Sequence, residues 1–379
     1  MKTKNRRTLP TLLVAVIVIM LLPGLACNLF SAQPEEPEVV EEPVVVEEPE
    51  VIEEPELEVE PAFRPEQVLR LDFEEKVSSV AFSTDGDLIA TGIFIQADIW
   101  RADDGSLVQS FETTHTVEGL AFLPGDDVIV LAVNRSGTLT FDVSSGEQLF
   151  NFDDRNFEPM FALSPDGTLI ASGNRRGLIW LWDASTGEQI FEIDPGENYD
   201  ALFERSMDKA ITALAYSPDG SLVASGHNGG MIFIWNTETG ALDKLIEPET
   251  DRCNPEGLVF SSDGQMLLVA GARADWDEVI RFYQVSDGSI VRDLEHGTRG
   301  GGGLAYSPLV YSPDDTLLVF GATDGIYIWS LPDYELLHTI PIEDTGDSDW
   351  VTDLAFSPDS QYLLAGYWND YAILWQVQE

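Results

Sequence analysis

Four histidines, His115, His227, His296 and His338, are the first residues to test for chemistry, and no two share the spacing of a metal site or a catalytic triad. The chain has no His-Glu-x-x-His, no Gly-x-x-x-x-Gly-Lys phosphate loop, no Gly-x-Ser-x-Gly elbow and no Cys-x-x-Cys. Nothing in the residue spacing therefore points to a catalytic group or a cofactor, and the expectation is a protein that is not an enzyme. Two acidic clusters, Asp275-Trp276-Asp277-Glu278 and Asp344-Thr345-Gly346-Asp347-Ser348-Asp349, offer hard oxygen ligands. An EF-hand loop opening at Asp344 would close on a glutamate at position 355, where Ala355 stands. Solvated loop carboxylates are the expected role of both clusters, with no metal. The run Gly300 to Gly303 after Arg299 lacks the strand-to-helix setting that gives phosphate loops their dipole, and reads as a flexible loop.

The charge balance narrows the partner. Twenty Lys and Arg stand against 67 Asp and Glu in 379 residues, a net charge of −47, which excludes the basic footprint that nucleic-acid binding needs. Two cysteines, Cys27 and Cys253, are too few for a disulfide scaffold. Lys2, Lys4, Arg6 and Arg7 precede an apolar run from Leu12 to Ala26, the pattern of an export signal. Gly24-Leu25-Ala26-Cys27 resembles the lipobox of bacterial lipoproteins. That resemblance implies cleavage before Cys27 and lipidation of its sulfur, and Gly24, where the family prefers Leu, leaves an uncleaved signal anchor as the other reading. Both place the body outside the cytoplasm, on the membrane. Residues 31 to 62 hold thirteen Glu and no base, in cycles of Glu-Glu-Pro. Proline and charge repulsion keep such a segment extended and unpacked, so it is expected to be a disordered stalk. Cys253 is expected as a free thiol or an intermolecular crosslink.

Beyond Arg64 the sequence repeats with a period near 45 residues. Seven copies of a strand-reversing tetrapeptide recur, among them Ser83-Thr84-Asp85-Gly86, Ser164-Pro165-Asp166-Gly167 and Ser217-Pro218-Asp219-Gly220. A small apolar strand follows each, such as Leu169 to Gly173. A third strand then places one large aromatic at a fixed position: Trp100, Phe141, Trp182, Trp235, Tyr283, Trp329 and Trp375. These rings are expected to pack between sheets. Fourth strands follow in six copies, for example Ser106 to Glu112 and Glu188 to Asp194. After Trp375 only four residues remain, while Val68 to Phe73 is an orphan strand ahead of the first copy. Pairing the two ends closes the ring with no bare edge.

Four strands per unit, the Ser-Pro-Asp-Gly turn and the aromatic in an Ile-Trp or Leu-Trp-Asp pair resemble the WD40 family of β-propellers. The resemblance implies an all-β, seven-bladed propeller over residues 64–379, after an export signal at 1–26 and an acidic linker at 27–63. Only Trp182-Asp183 is a literal Trp-Asp, the Gly-His pair survives at most as His115, and the family's buried Asp is clear only at Asp324. The resemblance further implies a protein or peptide ligand on the top rim, where second-to-third and fourth-to-first strand loops emerge. Ten of the sixteen bases beyond residue 63 fall there, and Arg135, Arg175, Arg176 and Arg273 are expected to surround the channel mouth, with Arg299 nearby. Two roles stay open for these arginines: docking an anionic group, or offsetting neighbouring acids. Tyr199, Phe203 and Trp276 are expected as aromatic anchors in the long loops, and Trp350 and Trp368 as either anchors or caps on the core. The expected function is a membrane-tethered, extracytoplasmic scaffold. The alternative is an enzyme or anionic-ligand binder at the arginine-lined mouth.

Overall fold

The computed structural model describes residues 63–152, 160–195, 209–248, 253–272, 277–299, 308–342 and 349–378. Within them 28 strands form seven antiparallel sheets of four. The chain enters on β1 (Glu66–Asp72) and then lays down blade 1 as β2 (Val77–Phe82), β3 (Leu88–Ile93), β4 (Gln96–Arg101) and β5 (Leu107–Glu112). Blade 2 is β6 (Val117–Phe122), β7 (Val128–Val133), β8 (Gly137–Asp142) and β9 (Gln148–Phe152). Blade 3 is β10 (Met160–Leu163), β11 (Leu169–Gly173), β12 (Ile179–Asp183) and β13 (Gln189–Ile193). Blade 4 is β14 (Ile211–Tyr216), β15 (Leu222–His227), β16 (Ile232–Asn236) and β17 (Leu242–Ile246). Blade 5 is β18 (Gly257–Phe260), β19 (Met266–Ala272), β20 (Asp277–Gln284) and β21 (Ile290–Arg299). Blade 6 is β22 (Leu309–Tyr311), β23 (Leu317–Gly321), β24 (Gly325–Ser330) and β25 (Leu336–Pro341). Blade 7 takes β26 (Val351–Phe356), β27 (Tyr362–Tyr367) and β28 (Tyr371–Gln376) from the end of the chain and β1 from the start.

The closing strand lies where the sequence places it. β1 runs antiparallel to β28, with Gln67 opposite Trp375 and Asp72 opposite Tyr371. The first strands of successive blades touch in turn from β2 round to β26, and β26 touches β2, so the ring is complete. The apolar interior is divided among the seams. Seven hydrophobic clusters each draw chiefly on two neighbouring blades, as where Val77 and Val80 of blade 1 meet Leu364 and Leu374 of blade 7. The third-strand aromatics lie in these seams as expected. Trp100 meets Phe73, Phe141 meets Phe111 and Trp182 meets Phe152, with ring centroids 5.3–5.9 Å apart.

Turn chemistry locks one end of the ring. In Ser164-Pro165-Asp166-Gly167 the Ser164 hydroxyl donates to Asp166 and accepts the amide N–H of Leu169, both within 2.9 Å. The fourth turn residue has positive φ in all seven blades, as Gly in four and as Asp126, Asp315 and Ser360 in the others. That residue also meets the second turn residue of the blade before. A Cβ on Gly167 would lie 2.1 Å from Cδ of Pro124, and one on Gly86 3.3 Å from Cδ of Pro358. Where Thr84 replaces the proline, Asp126 replaces the glycine and accepts the Thr84 N–H and hydroxyl.

At the outer edge every fourth strand carries a one-residue bulge. The extra residue is Val108, Leu149, Ile190, Asp243, Val291, Leu337 and, on β1, Val68. Six of the seven are exposed aliphatics. A bulge bends the outermost strand and breaks its ladder, so an edge rich in apolar side chains is poorly shaped for pairing with another chain.

Candidate functional site

Several polar side chains that resemble site residues in sequence serve the seams. The indole N–H of Trp100, Trp182 and Trp235 donates to Thr91, Ser172 and Ser225 at 2.9–3.1 Å. In blade 4 this extends into a relay. Ser225 Oγ lies 3.1 Å from Nε2 of His227, whose Nδ1 lies 2.8 Å from the carbonyl oxygen of Lys209. The carbonyl can only accept, so Nδ1 bears the proton and Nε2 accepts from Ser225. Burial pushes the His227 imidazole down to about 4, partly offset by its bond to Lys209. A neutral, fully buried histidine with both nitrogens engaged is a core residue rather than a proton shuttle.

Blades 7, 1 and 2 are joined across the channel wall by a second relay. The amide of Leu120 donates to Ser79 Oγ, which donates to Asp353 Oδ2 at 2.7 Å; Val80 and Leu354 N–H groups complete the carboxylate at 2.9 Å. Burial nevertheless pushes the Asp353 carboxyl up to about 6. Asp324 departs from the expectation of a buried family aspartate: it is exposed and accepts the Tyr327 hydroxyl at 3.0 Å. Its carboxylate, held in a short turn before β24, reaches only the phenol one strand-turn away.

The rim carrying the second-to-third and fourth-to-first strand loops holds three of the arginines predicted for it. Arg175 and Arg176 share the β11–β12 turn, Arg135 sits in the corresponding β7–β8 turn of the adjacent blade, and all three are exposed. Asn174 shapes the first turn by accepting the backbone N–H groups of Arg176 and Leu178. Arg135 adopts φ of 61°, and its turn is fastened to the blade 1–2 loop by Asn134 N–H on the Thr116 carbonyl at 2.8 Å. Arg299 ends β21, paired in register with Asp277, and its side chain lies outside the described residues. Arg273, Trp276, Tyr199, Phe203, Cys27 and the run Gly300–Gly303 also lie outside them.

Trp350 and Trp368 are half-buried and packed on each other. Their rings stack with centroids 4.4 Å apart, and the Lys76 ammonium sits 4.2 Å over Trp368. Burial draws the Lys76 amine down, with Glu118 pulling it back up. Among the described residues, the open apolar side chains of this rim are Phe94 and Ile95, which form the two-residue β3–β4 turn and are 45% and 44% exposed. Sequence reading missed them because it sought aromatics in long loops. Their signal was the absence of any turn former where blade 3 has Asn174 to Gly177 and blade 4 has Asn228 to Gly230. Phe94 takes φ of 42°, a left-handed geometry that costs a non-glycine residue roughly 1–2 kcal/mol.

Cys253 is 5% exposed within the blade 4–5 cluster, close against Gly271. An intermolecular crosslink needs an exposed sulfur, so the buried thiol overturns that alternative. Among the described residues no group of three His, Cys, Asp or Glu is placed to hold a metal ion; half of the first acidic cluster and all but Asp349 of the second lie outside those residues, and Glu278 and Asp349 are buried rather than solvated. A recess of about 150 Å³ at the opposite end is lined by turn residues such as Pro218, Asp219 and Asp263, whose carboxylates are already engaged by neighbouring serines.

A family model described as "WD domain, G-beta repeat" matches residues 65–108, 160–183, 203–236 and 335–376. These stretches include β1 with most of blade 1, the first three strands of blades 3 and 4, and the closing blade. Meiotic recombination protein rec14 of Schizosaccharomyces pombe is 31% identical over 34% of this chain and 37% of its own length. Telomerase protein component 1 of Rattus norvegicus is 25% identical over 50% of this chain and 6% of its own. WD repeat and SOCS box-containing protein 1 of Homo sapiens is 26% identical over 40% of this chain and 34% of its own. The chain thus spans less than two fifths of the length of each of these relatives. The matched repeats, the seven four-stranded blades and the terminal strand exchange together make this fold a seven-bladed β-propeller of the WD40 type.

Proposed function

We propose that the propeller is a scaffold that holds a protein or peptide partner on the rim carrying Arg135, Arg175 and Arg176. The observation behind this reading is the division of labour in the ring. Hydroxyls, indoles, a histidine and an aspartate are consumed in seams, while charged and apolar side chains are exposed in turns at one end. A rigid body with side chains displayed on its turns suits recognition by surface complementarity. The relatives point the same way only by name, since one combines WD repeats with a SOCS box.

The finer proposal is that Cys27 tethers this scaffold to a membrane, with the acidic stretch 31–62 spacing it from the surface. More than one acyl chain is needed for firm anchoring, which is what the lipoprotein resemblance supplies. Affinity capture from membranes with the wild type and with Arg175→Glu/Arg176→Glu tests the scaffold. Loss of a co-purifying protein in the charge-reversed chain is expected, and identical capture by both would remove the arginine rim from the proposal. Mass analysis of the mature N-terminus tests the tether, where an intact Met1 would count against lipidation.

A further inference from the structure

We infer that the β3–β4 turn of blade 1 is a docking point for a cationic segment of a partner protein, with an apolar side chain of that segment seated on Phe94 and Ile95. This rests on the scaffold reading and deepens it by naming the patch and the chemistry of its occupant.

The turn contradicts local folding preference in two ways. A two-residue hairpin connection with left-handed geometry calls for glycine, asparagine or aspartate, yet Phe94 holds φ of 42°. Both side chains, moreover, stay nearly half exposed, so neither strain nor exposure is compensated by core packing. The backbone of the turn is fixed all the same. The carbonyl of Phe94 accepts the Val117 N–H at 2.7 Å, and that of Ile95 accepts the Thr113 N–H at 2.8 Å. A strained turn whose backbone is held across the blade 1–2 seam while its apolar side chains join no core cluster is the kind of local violation that marks a binding position.

Charge selects the partner. Glu112 lies opposite Gln96 in the β4–β5 register, directly beside Ile95, and it is exposed. Val77 lies opposite Ile93 in the β2–β3 register, so the residues leading into β2 run up to Phe94, and Glu74 and Glu75 among them are exposed. The base of that stretch, Lys76, lies over the Trp368 ring with Glu118 acting on it. The apolar pair is thus bordered by carboxylates on a chain of net charge −47, which repels acidic partners and attracts a segment whose apolar residue is flanked by Lys or Arg.

Fluorescence anisotropy with labelled twelve-residue peptides tests this on the full chain. One peptide carries a central Leu-Phe pair flanked by lysines, a second the same pair flanked by glutamates, and a third lysines with no apolar pair. The lysine-flanked pair is expected to bind, with at least tenfold loss in Phe94→Gly and in Glu75→Lys/Glu112→Lys, and weaker binding as salt rises. Phe94→Gly relieves the left-handed strain, so its unfolding midpoint is expected to rise while its affinity falls, which separates the effect from misfolding. No binding by the lysine-flanked peptide, equal binding by the glutamate-flanked or lysine-only peptide, or full affinity in Phe94→Gly would each overturn the inference. Membrane capture that is lost in Arg175→Glu/Arg176→Glu but unchanged in Phe94→Gly would leave the scaffold standing and overturn this docking point alone.

Discussion

Ala365→Ser should stabilise the propeller by giving a buried indole the acceptor it lacks. In blades 1, 3 and 4 the third-strand tryptophan bonds to a hydroxyl two residues beyond its register partner on the second strand. Trp100 pairs with Ile89 and bonds Thr91, Trp182 pairs with Ile170 and bonds Ser172, and Trp235 pairs with Val223 and bonds Ser225. In blade 7, Trp375 pairs with Leu363, so the matching position is Ala365, and the Trp375 Nε1 is buried with no partner. An unmet buried donor costs ~1–3 kcal/mol and a new hydrogen bond returns ~1 kcal/mol net, so the expected gain is ~0.5–1 kcal/mol once the serine hydroxyl is itself buried. The reverse changes set the scale. Ser172→Ala strands one indole, whereas Ser225→Ala strands the Trp235 indole and removes the donor to His227 Nε2, and should be the costlier of the two. Urea denaturation followed by tryptophan fluorescence gives the ordering, provided the slope with denaturant is unchanged. The decisive control is Ala365→Ser in a Trp375→Phe background, where a phenyl ring offers no donor. A gain that persists there, or a loss in both backgrounds, refutes the reasoning.

Tyr216→Phe should be neutral or stabilising by up to about 1 kcal/mol in the same denaturation assay, because its buried hydroxyl has no partner and Phe82, Phe122, Phe260 and Phe356 occupy the position elsewhere. Gly321→Ala should cost ~1–3 kcal/mol, since the added Cβ would stand 2.6 Å from Val351 Cγ1 in the blade 6–7 seam; an unchanged midpoint would show that the seam yields. Asp353 makes stability depend on pH. Its folded value of about 6 exceeds the unfolded 3.8, so the unfolded chain ionises first and stability attributable to this group falls as pH rises from about 4 to 6. Asp353→Asn should flatten that slope between pH 4 and 6 even though the amide loses an acceptor, and an unaltered slope in midpoint against pH would assign the effect to other groups.

The seven copies and the terminal strand exchange were legible because each repeat spells its own strands and turn. The predicted closing strand, Val68 to Phe73, differs from β1 by one or two residues at each end, and the predicted second strand at Leu169 to Gly173 is β11 itself. Position of the arginines was legible for the same reason, since Arg135, Arg175 and Arg176 fall between strands whose limits the repeat dictates. Their chemistry was not, because a turn places a side chain in solvent without saying what meets it. Trp350 and Trp368 were ambiguous in sequence, and the stack between them is a contact between the end of one loop and a turn eighteen residues on. Phe94 and Ile95 carry no turn former, and in a sequence whose other turns are marked by them that absence is the informative feature.

What escaped a repeat-by-repeat reading are the pairs that join one repeat to the next. Pro124 predicts Gly167, and Pro358 predicts Gly86 across the chain termini, because a pyrrolidine ring and a neighbouring Cβ compete for the same space. Thr84 with Asp126 solves the same seam by hydrogen bonding, so the substitution is coupled and either change alone would leave a void or an unmet amide. Pro313 with Ser360 is a third solution, in which the Asp314 N–H reaches Ser360 Oγ at 3.0 Å. A closed ring makes such coupling unavoidable, since each blade buries its faces only against neighbours and has no solvent side on which to absorb a change. On the rim, by contrast, Phe94, Ile95 and Arg176 are exposed in turns held by bonds to their backbone, so a side chain can change there without rewriting a seam.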